Sequence, residues 1–356
     1  MIKQKKYKKN DVVMKNLLIN RKPLRNRAWG GGNLFVIAMC DYAKDFGWEV
    51  THKLEDDLDA ILMVDPRYDD LGISAQELVD CKLKNKIPLF HRINECDARK
   101  NTNDIDSLLI GCSYYTDCSI FVSKWMMNYF QTKGWHCRDE LVPALPDNPI
   151  HKKVRPGIKI ELEKIRKNYY IYNGVYPEIY YSGYGEEKIK NGKTNIVIAH
   201  WSNNLLKNVF THKIDEFVGG HSDEYTFTYI GRPPQGLKNT KIIAPLYGKD
   251  LGNEIRKYDV CINSSKDDPA SNSIMEAIAS GIPTYAWCGG GGSLELVGED
   301  HVYKDWEEIK KILLSKRFSA NTQGYKPFHW YECVRRYFDV IDYIIKNKEI
   351  NNKSEK

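Results

Sequence analysis

The sequence predicts two doubly wound α/β domains facing each other. Three observations carry that prediction. Short apolar runs rich in β-formers alternate with helix-period segments over most of the 356 residues. The centres of those runs are continuous apolar stretches, as expected of strands in parallel sheets covered on both faces. The rhythm then starts afresh near the middle of the chain, which is long enough for two domains that each bury a core.

In chain order, strands are expected at 16–20 (NLLIN), 48–54 (WEVTHKL), 60–65 (AILMVD), 87–94 (IPLFHRIN) and 119–124 (SIFVSK). Helices are expected between them, near 33–46, 74–85, 103–111 and 124–133. Residues 135–168, with several prolines and then the charged, helix-like IKIELEKIRKN, read as a less regular excursion. The second series runs through 194–200 (TNIVIAH), 225–231 (YTFTYIG), 240–246 (TKIIAPL), 258–265 (YDVCINSS) and 282–287 (IPTYAW). Between about 172 and 193 the chain is dense in Gly, Tyr and charge and lacks apolar periodicity, which marks the boundary. Near the end, Val334, Phe338, Ile341 and Ile345 share a helix face, whereas the closing NKEINNKSEK reads as frayed. The expected organisation is a basic tail over 1–15, a Rossmann-like domain over 16–180 and a second Rossmann-like domain over 190–325. A helix over 326–347 can cross back to the first domain.

Composition narrows the function classes. No run of eighteen apolar residues exists, and the cationic N-terminus is not followed by the apolar stretch of a signal peptide. The expected compartment is the cytoplasm. Residues 1–27 hold ten Lys or Arg against one Asp, more than the whole net charge of +6, so the rest of the chain is slightly acidic. A nucleic-acid binder carries its basic stripe on the folded domain, so none is expected as a partner. The tail is a solubilising segment or a peripheral contact to an anionic membrane surface. Nine scattered cysteines with no C-x-x-C pair argue for reduced thiols, and nine histidines without paired ligand spacing argue against a metal.

The most informative stretch is KDDPASNSIMEAIASGIP, residues 266–283. YDVCINSS before it is a buried strand, KDDPAS a loop, and NSIMEAIAS a helix closed by Gly281 ahead of Pro283. A loop and a helix N-terminus thus stand at the carboxyl end of a parallel strand, where open α/β sheets bind ligands. Free amides from Asn272 to Ile274, Ser273 included, attract phosphate. Ile274 and Ile278 are expected to face the sheet, with Glu276 pointing away from it. A plainer alternative stands beside this: Ser273-Ile-Met-Glu276 matches a capping box that needs no ligand, and Asp268-Pro269 a simple turn.

The segment resembles the donor-binding motif of the glycosyltransferase family 4 group. Its pattern of an acid, seven residues, then Glu-Ala-hydrophobic-Ala-x-Gly-x-Pro reads here Asp268…Glu276-Ala277-Ile278-Ala279-Ser280-Gly281-Ile282-Pro283. Gly30-Gly31-Gly32 looks like the family's N-terminal glycine loop, Asn173-Gly174-Val175 like the end of its first domain, and Gly289-Gly290 with Glu295-Leu296-Val297 like the segment one strand further on. His91 stands where the family often has a histidine near the transferred sugar. The similarity covers roughly residues 16–310 and departs at one point. AHWSNNLLKN keeps the phosphate-binding Lys207 but has Ser202 where the family has arginine, and Arg232 in YIGRPPQG is the candidate replacement.

The resemblance implies a GT-B fold with two Rossmann-like domains around a central cleft, and retaining transfer from a nucleotide-sugar donor to a glycan, lipid-linked or protein acceptor. No metal or other cofactor is expected. It implies Glu276 on the donor ribose, Asp268 and His91 by the donor sugar, and Gly31, Gly32 and Lys207 on the phosphates, where the helix-start amides of Asn272 and Ser273 and the substitute Arg232 are expected as well. On residues alone, His91 also fits a satisfied strand-end histidine and Lys207 a solvated lysine. A catalytically silent nucleotide-sugar-binding protein and a nucleotide-sugar epimerase are the alternatives. The D-x-D pairs Asp57/Asp59 and Asp104/Asp106 read as surface acids.

Overall fold

The computed structural model describes residues 14–25, 30–67, 72–135, 167–183, 187–322 and 329–354. The basic tail as far as residue 13 and the excursion over 136–166 lie outside the described residues.

The first lobe contains β1 (Lys15–Ile19), α1 (Gly31–Tyr42), β2 (Trp48–Thr51), β3 (Ala60–Met63), α2 (Ala75–Asn85), β4 (Leu89–Ile93), α3 (Asp97–Lys100), α4 (Ile105–Ser113), β5 (Cys118–Phe121), α5 (Lys124–Thr132) and β6 (Lys167–Tyr170). Its strands are all parallel, in the order β2-β1-β3-β4-β5-β6. The second lobe contains β7 (Thr194–His200), α6 (Thr211–Gly220), β8 (Tyr225–Gly231), β9 (Thr240–Ile243), α7 (Gly248–Ile255), β10 (Val260–Asn263), α8 (Asn272–Ala279), β11 (Thr284–Trp287), α9 (Ser293–Val297), β12 (Val302–Tyr303) and α10 (Trp306–Ser315). It is again parallel, in the order β12-β11-β10-β7-β8-β9. The two doubly wound sheets are those the apolar runs predict.

Alternation along each strand explains why the runs are continuous. Leu17, Ile19 and Leu62 pack on one face of the first sheet, and Leu18, Ile61 and Met63 on the other. In the second sheet Ile196, Ile198 and Ile262 take one face, and Val197, Ala199 and Cys261 the other. With both faces covered, most positions of a central strand are apolar, and the exceptions, such as His91 and Arg92 on β4, are polar groups held buried.

Strand order reverses between β1 and β3 in the first lobe, and between β7 and β10 in the second. The loops leaving these strands part there and open a crevice at the carboxyl edge of each sheet. The loop from β1 leads into α1, that from β7 carries 201–207, and that from β10 leads into α8.

Three expectations are corrected. Residues 167 and 168, read as the end of a helix-like piece, begin the edge strand β6, carried by the β-favouring tyrosines that follow. The two-residue edge strand β12 was not expected at all. The final helix α11 (Trp330–Ser354) does not fray at 347 but continues through residues that include no glycine or proline to stop it. Its Trp330, Val334, Phe338 and Ile341 pack against Phe35, Met39 and Trp48 of the first lobe. Among the described residues, no helix is long and apolar enough to cross a membrane.

Candidate active site

At the switch point of the second lobe, β7 leads into a short 3₁₀ turn, Leu205–Lys207, started by Asn204 Oδ1 accepting from Leu206 N at 3.0 Å. The turn brings Lys207 back under the sheet edge, where its Nζ meets Asp268 Oδ2 at 2.9 Å. Both side chains are nearly inaccessible, at 11% and 4% exposure. Burial alone would raise the Asp268 carboxyl. Lys207, Arg99 and His200 outweigh it and hold the group down to about 2, so Asp268 is ionised at neutral pH. Asp268 is also fixed through its backbone: Gly292 N donates to Asp268 O at 2.9 Å. A β-carbon on Gly292 would stand 2.1 Å from Pro269 O, so only glycine permits this approach.

Glu276 lies in α8, buried with the Tyr180 hydroxyl as its hydrogen-bond partner. Burial pushes its carboxyl up to about 8, against the lowering effect of Tyr180. The capping box does not form. The cap position is Ser271, without a side-chain cap bond, and its hydroxyl lies 3.0 Å from that of Ser273, which is already inside the helix. Nor does Glu276 turn outward: Ile274, Met275 and Ala277 are buried around it, and Ile278 is only half-buried.

Two helix N-termini meet at the cleft. The Cβ that Gly31 lacks would lie 2.9 Å from Asn272 Nδ2, so the start of α1 in the first lobe faces the start of α8 in the second. Neither helix has a side-chain cap or an acidic residue in its first turn. Their free amides and positive dipole ends are therefore left for an anion. Gly32 lies beside Asn94, where a β-carbon would stand 3.3 Å from Asn94 Nδ2.

His91, on β4, is fully buried, and neither ring nitrogen has a partner among the described residues. Burial drives its imidazole down to about 3, so it is neutral. Arg232 is exposed at the end of β8, its guanidinium 5.7 Å over the Trp201 ring rather than on the Lys207–Asp268 pair.

The sequence reading missed Arg99. It sits on α3 of the first lobe, where its carbonyl accepts from Asn204 Nδ2 at 3.0 Å, just ahead of the Lys207 turn. Its Nε is buried without a partner, and its charge acts on both Lys207 and Asp268. The signal available was the polar run HRINECDARK, residues 91–100, which begins in β4 and continues through α3. Its Asp97 accepts from Ile105 N and Asp106 N at 3.0 and 3.1 Å, holding the start of α4. Among the described residues no group of three or more His, Cys, Asp or Glu is placed to hold a metal ion.

No protein-family model and no curated protein matches this sequence. Solved structures match its fold. Anabaena HepE in complex with UDP is 14% identical with a TM-score of 0.60, over 96% of this chain and 100% of that one. The same protein in complex with UDP-glucose gives 13% and 0.56 over 96% and 100%. Sucrose-phosphate synthase from Thermosynechococcus elongatus gives 13% and 0.54 over 96% and 98%. The chain has the GT-B architecture, two Rossmann-like lobes around a cleft.

Proposed function

We propose that this protein transfers a sugar from a nucleotide-sugar donor, held mainly by the second lobe, to an acceptor entering from the first, with retention of anomeric configuration. The observation that carries the reading is the meeting of two uncapped helix N-termini beside a buried Lys207–Asp268 pair at the strand-order reversals. That the similar HepE was solved with UDP and with UDP-glucose supports a nucleotide-sugar as the donor class.

The bond between the anomeric carbon and the diphosphate oxygen breaks with its electron pair going to the diphosphate, and the sugar becomes oxocarbenium-like. The acceptor hydroxyl oxygen bonds to the anomeric carbon on the face the diphosphate leaves, its proton passing to an oxygen of the leaving diphosphate. Charge on the leaving group is met by the amides of Gly31, Gly32, Asn272 and Ser273 and by Lys207. Lys207 is partly spent on Asp268, so a second cation is needed. Arg99, although its Nη1 also lies 3.9 Å from Glu95, acts on this pair and supplies it rather than the exposed Arg232. One preorganised donor of this kind is worth about 3 kcal/mol. Asp268 and neutral His91 meet the donor sugar, and the Glu276 carboxylate accepts from the ribose hydroxyls. The acceptor is a glycan or glycoconjugate, and its identity depends on loops rather than on the fold.

The test is a binding and donor-hydrolysis screen with UDP-, GDP-, ADP- and CMP-sugars on wild type, Glu276→Ala, Arg99→Ala and Arg232→Ala. One donor is expected to bind and slowly release nucleotide. Glu276→Ala should lose binding, and Arg99→Ala should slow release more than Arg232→Ala does. If no donor binds, or if Glu276→Ala binds as wild type does, the proposal fails.

A further inference from the structure

A hydrogen-bond chain runs from a buried guanidinium to the place where the two helix N-termini meet. Arg92, on β4, is 1% exposed, its guanidinium 4.4 Å over the Phe35 ring of α1. Its Nη2 donates to Asn173 Oδ1 at 2.9 Å, and Asn173 Nδ2 donates to Asn272 Oδ1 at 2.8 Å. A guanidinium has only donors, so Asn173 must turn its oxygen to Arg92. Its amide nitrogen then faces Asn272, which must answer with oxygen. The group left over is Asn272 Nδ2, which lies against Gly31. Neither end of this amide is free to flip while Arg92 stays in place.

We infer that Arg92 and Asn173 are positioning residues that fix the polarity of the Asn272 amide, so that it offers a donor and never an acceptor to the diphosphate of the nucleotide-sugar. The inference rests on the proposed function, because it assumes an anion between α1 and α8. It also ties that function to the meeting of the lobes, since Arg92 is in the first and Asn272 in the second.

Asn173→Asp tests it. The new carboxylate accepts from Arg92 as before, and it can only accept from Asn272 as well. The Asn272 amide must therefore rotate and turn its carbonyl oxygen to the anion. Asn272→Ala removes the donor without inverting it. UDP binding by calorimetry, with GDP, ADP and CMP as alternates, is expected to weaken about tenfold or more in Asn173→Asp. That loss should exceed the loss in Asn272→Ala, although only Asn272 reaches the ligand. A merely structural role for Asn173 would lower the unfolding temperature instead, and this should stay at the wild-type value. Arg92→Lys, which loses the stacking on Phe35 but is still donor-only, should retain more binding than Arg92→Gln, which can present either end. That pair decides the matter if Asn173→Asp does not fold. If wild type binds a nucleotide and Asn173→Asp binds no worse than Asn272→Ala, the inference is overturned and the donor reading survives. If wild type binds none of the four nucleotides, both fall.

Discussion

Because Lys207 and Asp268 are buried together, each charge relies on the other in place of water. Replacing Asp268 with Asn strands the ammonium and is expected to cost about 3–5 kcal/mol. Adding Lys207→Met removes both charges and should recover most of that loss in urea unfolding; if it recovers none, the pair is not coupled. The same pair sets a pH dependence. The folded value of Asp268 lies below its unfolded value near 3.8, so its contribution is full above that and is lost as the pH falls towards about 2. Glu276 works with the opposite sign. Its folded value of about 8 lies above its ordinary 4.5, so the folded state prefers the neutral acid and loses stability as pH rises between the two. Glu276→Gln should therefore raise the unfolding temperature at pH 8 while weakening nucleotide binding, a trade expected of a functional residue. On the proposed function the ribose hydroxyls would donate to the ionised carboxylate, so wild-type nucleotide affinity should rise with pH up to about 8. A flat affinity profile between pH 6 and pH 9 would rule out Glu276 as the ribose acceptor.

The elements that frame the site are loops and helix starts at the two reversals of strand order, and they can be perturbed without touching the core. Gly31→Ala puts a methyl group 2.9 Å from Asn272 Nδ2, too close to be accommodated unless the amide held by Asn173 gives way. Thermal stability should fall modestly and the donor KM increase severalfold; an unchanged KM would mean that the start of α1 does not approach the ligand. The framework of these elements was legible because central strands buried on both faces leave continuous apolar runs. The edge strands β6 and β12 left no comparable signal, β6 because it begins at the end of a charged, helix-like piece and β12 because it has only two residues. The acid-pair loop and helix were legible as a motif, but their geometry was not. A helical wheel turned Glu276 outward, whereas in the fold it is buried with the Tyr180 hydroxyl as its partner. The Ser273-x-x-Glu276 spacing suits a capping box, yet the helix starts one residue before Ser273 and leaves the serine inside. Arg99 was harder still, because a cation supplied by the opposite lobe leaves no local pattern beside Lys207.

At the scale of the whole molecule, Glu295 of α9 reaches from the second lobe to the first. Its carboxylate accepts from the backbone amides of Lys124, at 3.1 Å, and Trp125, at the start of α5, and from the Tyr172 hydroxyl. A carboxylate on a helix N-terminus in a partly buried setting is worth up to about 2 kcal/mol. It does not act alone, since one apolar cluster runs from Phe121 and Met126 in the first lobe to Ile274 and Leu296 in the second. The two kinds of contact predict different behaviour. Apolar contact resists separation without fixing its geometry, whereas a carboxylate on two amides fixes how α9 meets α5, and with it how α8 meets α1. Glu295→Ala should therefore leave each lobe folded but broaden the angle between them, seen as a larger radius of gyration in small-angle X-ray scattering. With the cleft less tightly closed, water competes better with the acceptor, so the ratio of donor hydrolysis to transfer should rise. Glu295→Gln, which keeps one acceptor oxygen, should fall between the two. If scattering and product ratio both match wild type while only the unfolding temperature drops, the apolar cluster alone sets closure and Glu295 merely caps a helix.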